Sequence, residues 1–327
     1  PVAPPTITTV VPTTPTFAGQ LDNTGYVGQT LTITGTGFTS TGGMSVSIGG
    51  LPATTFTVVN STTITAVVAQ NASGATVVVT NTITLGSASA GFTFLGWISD
   101  ASTDWNLNPT WLGGQVPPAS VAVTIAHAVT ANGVVANNPN TLTIRAASSL
   151  TFGAAGTLTV NNTLTNGGSI VMTAGGVLTM ANASTFANGA ATFTGGTGTV
   201  VFAGSGTVTS AAGVAFNNVT LNGAVNLSAG SSISATGTLR INSGGSVATN
   251  AVSYIAGGTL LYAGPAGQTV TALEWPAVNG PTNFHITSTG IVTMPLDRSI
   301  NGDIRIFAGA LVPSGSPRII TLTGSSA

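Results

Sequence analysis

The window from Ala272 to Ile286, "ALEWPAVNGPTNFHI", holds the only Glu of the chain (Glu274), one of its four Trp (Trp275) and one of its two His (His285). A carboxylic acid, an aromatic platform and an imidazole this close in sequence are the parts of a carbohydrate-active site, which needs a proton donor or acceptor and usually a second carboxylate. The remaining acids are Asp22, Asp100, Asp104, Asp297 and Asp303. Only the last two fall close enough to meet easily on one face. In "PLDRSINGDIRIF" Asp303 and Arg305 alternate with Ile304 and Ile306, so a strand turns the polar pair outward and the isoleucines inward. With Asp297 and Arg298 they read as a surface charge network. His285 alternates with Phe284 and Ile286 and faces away from whatever those bury, "PAVNGP" supplies a turn, and Trp275 packs on the rod. Glu274 has no second carboxylate to work with, and no catalytic residue is expected.

Metal chemistry fares no better. "DWNLN" sets oxygen-bearing side chains at Asp104, Asn106 and Asn108 in the alternating pattern of a calcium loop. Pro109, however, stands where that loop needs Gly, and Gln115 where it needs a bidentate Glu. His127, in "VTIAHAVTANG", sits on a strand by pattern with no acid or second His near it, which suits a structural hydrogen-bonding role. Cysteine is absent, so thiolate metal sites, a Cys nucleophile and disulfides are excluded. No cofactor is expected. Outward T-x-T tripeptides could form an ice-binding array, but they fall on no single phase of the chain's rhythm and reflect composition instead. Six Asn-x-Ser/Thr sequons (Asn60, Asn71, Asn161, Asn182, Asn218 and Asn226) permit glycosylation.

These residues stand in a chain of 327 with a charged fraction of 3%, five Arg, no Lys and a net charge of -1. Five dispersed Arg cannot neutralise a phosphate track, so nucleic acid is excluded as a partner. A surface of Thr, Ser, Asn, Gly and Ala has little electrostatic protection against association, which makes the chain itself the first candidate partner and glycans the second. No apolar run reaches the length of about 18 residues that membrane insertion requires. The start, "PVAPPTITTV", lacks a basic and apolar leader, so any signal peptide is expected to be already removed.

Helical periodicity is nearly missing, and Thr, Val and Ile alternate in runs such as "TLTIT" and "TITAVV". The fold expected is all-β. Residues 1–17 read as an extended, Pro-punctuated tail and first strand. Residues 5–95 show seven short strands with turn residues between them: "PTITTVVP", "GQTLTITGTGF", "MSVSIGG", "TTFTVVN", "STTITAVV", "GATVVVTN" and "GFTF". That spacing predicts an immunoglobulin-type β-sandwich. Residues 96–120 carry Trp97, Trp105 and Trp111 and read as the linker and cap that cover a repeat domain's first turn. From 121 to 327 the inward apolar positions Leu142, Leu150, Leu158, Leu164, Ile170, Leu178, Phe186, Phe193, Val200, Val208, Val214, Val219, Val225, Ile233, Leu239 and Val247 recur about every seven residues. Three short strands per turn, roughly 21 residues, predict a parallel β-solenoid. Its handedness is expected to be right-handed, with roughly ten turns stacked about 4.8 Å apart.

Residues 5–95 also resemble the TIG (IPT) immunoglobulin-like family. The likeness is carried by Pro5, Ile7 and Pro12, "GQTLTITGTGF" (28–38), "VSIGGLPA" (46–53), "VVNSTTITAVV" (58–68) and "FTF" (92–94). The stretch "TTPTFAGQLDNTGYV" at 13–27 is longer than the family's usual Gly-rich turn. The Trp-rich segment and the repeats containing "GGTLLYAGPAGQTVTALEWPAVNGPTNFHITSTGIVTM" are similar to adhesin-like β-solenoid regions of secreted surface proteins of Gram-negative bacteria. That resemblance implies export and a place on the cell surface or in the extracellular matrix; it implies no chemistry.

The function expected from the sequence is therefore a structural subunit of an extracellular filament or surface layer, polymerising head to tail without catalysis. Self-association is expected through Pro4, Ile7 and Val10 of the tail, by strand addition, and through Ile319, Ile320 and Leu322 of the closing "PRIITLTGSSA", which has no polar cap. The alternative is a surface adhesin that binds glycan through exposed aromatics such as Trp105, Trp111 and Trp275. A polysaccharide-degrading β-helix enzyme is the third reading.

Overall fold

The computed structural model describes residues 3–40, 42–315 and 318–323. Pro1 and Val2 of the tail, and Pro317 and residues 324–327 of the closing stretch, lie outside the described residues. The chain divides into two compact units, one of residues 1–101 and 107–117, the other of 102–106 and 118–327. Strands and turns make up both; the one helical element among the described residues is a 3-10 turn at Asn108–Thr110. No helix of the described residues is long and apolar enough to cross a membrane.

The first unit is an antiparallel sandwich of two four-stranded sheets. One sheet orders Thr6–Thr14, Thr30–Thr36, Thr63–Val67 and Phe56–Asn60. The other orders Leu51–Pro52, Met44–Ile48, Thr76–Asn81 and Gly86–Gly91. Alternation in "TLTIT" and "TVVVT" turns Leu31, Ile33, Val77 and Val79 inward to a core that also buries Val10, Ile48, Ile64 and Phe92. The stretch at 13–27 is held by its own contacts: the Gln29 amide donates to the carbonyl of Pro15 (2.7 Å), and Phe17 packs edge-on to Tyr26 at 5.4 Å.

The N-terminal segment forms the first strand expected from the sequence. Thr6–Thr14 pairs antiparallel with Thr30–Thr36 of its own sheet. Val10 is fully buried and Ile7 packs against the same core, while Pro4 stays exposed. The physical reason is alternation: Val10 and Pro12 fall on one face of the strand, and burying that face within the chain needs no partner.

The second unit is a parallel β-solenoid of about nine turns. Thr157, Val177, Thr199, Asn218, Thr238, Thr259 and Asn283 occupy equivalent positions on successive turns. A turn thus takes 19 to 24 residues, and the longest of these, from Thr259 to Asn283, contains the Glu274 window. Inward side chains stack in columns, as in Leu158, Leu178, Val200, Val219, Leu239, Leu260 and Phe284 on one side and Val123, Leu142, Leu164, Phe186 and Val208 on another. Of the sixteen inward positions read from the sequence, all but Phe193 are buried. Phe193 is partly buried and lies edge-on between Phe186 and Phe216, at 5.7 Å from each.

Glycine marks the corners because the turns stack so closely there. A Cβ at Gly156 would lie 1.9 Å from the carbonyl oxygen of Ala131, and one at Gly168 would lie 2.2 Å from that of Ser148. No other residue fits without moving backbone. Polar residues also enter the interior near corners, as at Asn166 and Asn188: Asn166 donates to Asn188 Oδ1 (2.8 Å) and to the carbonyl of Thr192 (2.9 Å), and Asn188 donates to that of Ala191 (2.9 Å). Their amides satisfy backbone groups that the corner leaves unpaired.

Candidate functional site

The Glu274 window is built on a one-turn loop. The Trp275 amide donates to the carbonyl of Thr271 (3.0 Å) and the Glu274 amide to Thr271 Oγ1 (3.3 Å). This turn drives the Glu274 side chain into the solenoid, where the residue is 1% exposed. Its Oε1 accepts from the Val247 amide (3.1 Å); its Oε2 accepts from the Thr271 amide (3.1 Å) and from the Tyr262 hydroxyl (2.5 Å). A buried carboxylate is costly unless such donors replace its water. Tyr254 completes the cage by donating its hydroxyl to the carbonyl of Glu274 (2.7 Å). Burial, and then the negative charge of Glu274, hold both phenols well above their ordinary pKa.

Trp275 is also buried, 4.8 Å from Phe284, which in turn packs on Tyr262 at 6.0 Å. His285 stands on the other face of the same strand, in the outward column of Leu261 and Arg305. Its ring lies edge-on to Phe307 at 5.9 Å. Burial is the larger cause that lowers the His285 pKa from 6.5; Arg305 adds to it and Asp303 opposes it. The strand therefore separates the carboxylate from the imidazole. Glu274 is a structural anchor that ties the 271–275 loop to the preceding turn at Val247.

The charge network of the sequence is brought together in part. Arg305 and Asp303 form an exposed ion pair. Arg298 instead turns toward the loop, donating through Nε to the carbonyl of Trp275 (2.7 Å) and through Nη1 to that of Asp297 (2.8 Å). Asp297 Oδ1 accepts from the Ile319 amide (3.0 Å). Between these residues and the turn at 276–282 runs a groove of about 620 Å3, lined by Tyr254, Asn279, Thr282, Asp297, Arg298 and Asn301, among others. This groove faces solvent beside the window, and it is not legible in the sequence because its walls come from four successive turns.

The calcium candidates do not converge on a cavity. Asp104 accepts the Asn106 amide on Oδ1 (2.9 Å) and the Asn132 amide on Oδ2 (3.1 Å), while Asn106 Nδ2 donates to the carbonyl of Val134 (3.2 Å). Asn108 accepts the Val116 amide (3.2 Å) within the other compact unit. Their oxygens cap backbone amides, a role short polar side chains commonly take. Among the described residues no group of three His, Cys, Asp or Glu could hold a metal. His127 lies at the corner between Ala122–Ile125 and Ala128–Ala131, not on a strand as its pattern suggested.

The cap tryptophans divide between the units. Trp105 belongs to the solenoid, where its amide donates to the carbonyl of Thr130 (2.7 Å) and Asp104 bridges in parallel to Thr130, the place a preceding strand would take. Trp97 and Trp111 belong to the sandwich unit, in which Ser99 bridges to Trp111. All three are 0 to 2% exposed. Of the C-terminal residues named for association, Ile320–Leu322 pairs in parallel with Arg298–Ile300, leaving Ile319 and Leu322 64% and 68% exposed.

Residues 5–94 match the family model of the IPT/TIG domain, so this stretch of the first unit is a TIG domain, and the β-solenoid follows it in the chain. No curated protein and no solved structure matches the chain.

Proposed function

We propose that this chain is a structural module of an exported bacterial surface protein, which does no chemistry and works by associating end to end with copies of itself. The observation that carries this reading is the surface: with 3% charged residues and a net charge of -1, almost nothing electrostatic opposes contact between copies. Exposed apolar side chains gather on the last described turns, at Ile306, Phe307, Ile319 and Leu322, and a second copy is the occupant proposed for them. The absence of Cys and the likeness of the repeats to secreted surface proteins support an extracellular setting. The proposed absence of catalysis rests on Glu274, which is enclosed by its own scaffold.

Sedimentation velocity and negative-stain microscopy over a wide concentration range test the proposal. Filaments or a concentration-dependent ladder of species are expected, and Phe307→Asp combined with Leu322→Asp should suppress them. A chain that stays monomeric at high concentration overturns the reading. Assembly that ignores the double substitution overturns the end-on contact.

A further inference from the structure

Three features of the groove beside the Glu274 loop bear on what it holds. Its volume, about 620 Å3, falls within the roughly 300–1,000 Å3 typical of small-ligand sites. Its walls are amide, hydroxyl and charged groups: Asn279, Asn301, Ser299 and Thr321 line it together with Asp297 and Arg298. Such a set offers donors and acceptors in mixture, which matches the hydroxyls of a sugar. A peptide would need apolar pockets, of which Ile319 is the only large aliphatic contributor. Phosphate or nucleic acid would need several cations, and here one Arg is faced by an exposed Asp.

The second feature is Arg298 itself. Its Nε and Nη1 are held by two neutral carbonyl oxygens, those of Trp275 and Asp297. Nη2 makes no hydrogen bond among the described residues. The guanidinium is thus fixed in place before a ligand arrives, which reduces the entropy lost on binding, and one end of its donor fork is unused. The guanidinium fork matches the planar geometry of a carboxylate with paired hydrogen bonds.

The third is the rigidity of the opposite wall. Asn279 adopts a left-handed conformation (φ 56°), and its carbonyl accepts from the Tyr254 amide at 2.8 Å. The Tyr254 hydroxyl is in turn fixed on the Glu274 carbonyl. The buried cage and the groove share a wall, so the scaffold that encloses Glu274 also shapes the groove.

We propose that this groove binds a saccharide bearing a carboxylate, a uronate unit, whose carboxylate meets the free side of Arg298 and whose hydroxyls meet Asn279, Asn301 and Ser299. Burial lowers the Arg298 pKa against the opposing effect of Asp297. The nearby carboxylate leaves part of the desolvation of the cation uncompensated, and an incoming anion offsets it. The groove shares Ile319 with the apolar surface proposed for assembly but not Phe307 or Leu322, so the Phe307→Asp and Leu322→Asp variant separates loss of assembly from loss of saccharide binding.

Isothermal titration of the full chain with a tetrameric galacturonate, and with the same tetramer after its carboxylates are reduced to alcohols, tests it. The uronate should bind, and the reduced tetramer should bind about tenfold more weakly or worse, the loss of one charge-assisted hydrogen bond. Arg298→Gln should weaken uronate binding by a similar factor. Because Arg298 also holds the Trp275 carbonyl, a second variant guards against local unfolding: Ser299→Trp fills the groove from an exposed position and should abolish binding with the melting temperature unchanged. No binding of the uronate at millimolar concentration, equal binding of the reduced tetramer, or full binding by Ser299→Trp each overturns the proposal.

Discussion

The Tyr262 hydroxyl donates to Glu274 Oε2 at 2.5 Å inside the solenoid, and both residues are 1% exposed. This bond ties the strand that opens the longest turn, Thr259–Tyr262, to the loop of the same turn, and the Val247 amide ties that loop to the turn before. Glu274→Ala would leave the Val247 amide, the Thr271 amide and the Tyr262 hydroxyl without their acceptor. The expected loss is about 2–4 kcal/mol, since each unsatisfied buried donor costs about 1–3 kcal/mol and relaxation recovers part. Tyr262→Phe should cost less, and the two effects should be non-additive. Differential scanning calorimetry of the single and double variants measures this; additive losses would show that the two groups do not act as a unit.

The buried tryptophans make an opposite prediction to the adhesin reading. Trp105→Ala and Trp275→Ala should each destabilise by roughly 3–5 kcal/mol, the usual cost of emptying a large aromatic site. Binding of neutral glycans on an array should not change in any variant that remains folded. A selective loss of glycan binding at an unchanged melting temperature would restore these rings as binding platforms.

Column register predicts a sharp contrast between neighbours. Leu164 lies in an inward column between Leu142 and Phe186, while Thr165 beside it is exposed. Leu164→Ala should cost about 2–5 kcal/mol and Thr165→Ala less than about 0.5 kcal/mol. Thermal melts of the two variants decide it, and similar losses would mean that the register is wrong by one residue.

Acidification should loosen the face that carries His285. Its pKa is lower in the folded chain than the ordinary 6.5, chiefly through burial, so the unfolded chain binds the extra proton more readily. Stability contributed by the neutral imidazole is therefore complete above about pH 6.5 and lost as the pH falls below it. The melting temperature of the native chain should fall faster below pH 6.5 than that of His285→Gln. Parallel curves for the two would remove His285 as the cause.

Much of this was legible in the chain's alternation. The seven-residue rhythm located the inward positions because a short strand and a tight corner leave little freedom of phase, and the sandwich strands announced themselves by β-branched residues. Gly86–Gly91, "GSASAG", was missed since small residues carry no apolar alternation, yet it pairs along its whole length with Thr76–Asn81. The inward Asn166 and Asn188 were missed for the converse reason, that polar residues in a repeat read as outward. For the Glu274 window, sequence separated His285 from the core and set Trp275 against the rod, whereas the ring is buried inside it. The sequence could not show that Glu274 enters the interior, because the donors that make burial tolerable are distant in sequence, Val247 on the preceding turn and Tyr262 on the strand that opens its own.

The spacing of those turns has a consequence of its own. Strands meet their partners 19 to 24 residues away on either side, so gaining or losing one such unit alters the stack by about 4.8 Å and leaves distant turns untouched. Evolution can use a chain of this kind as a ruler, setting the distance between two attached functions in fixed increments without redesigning either one.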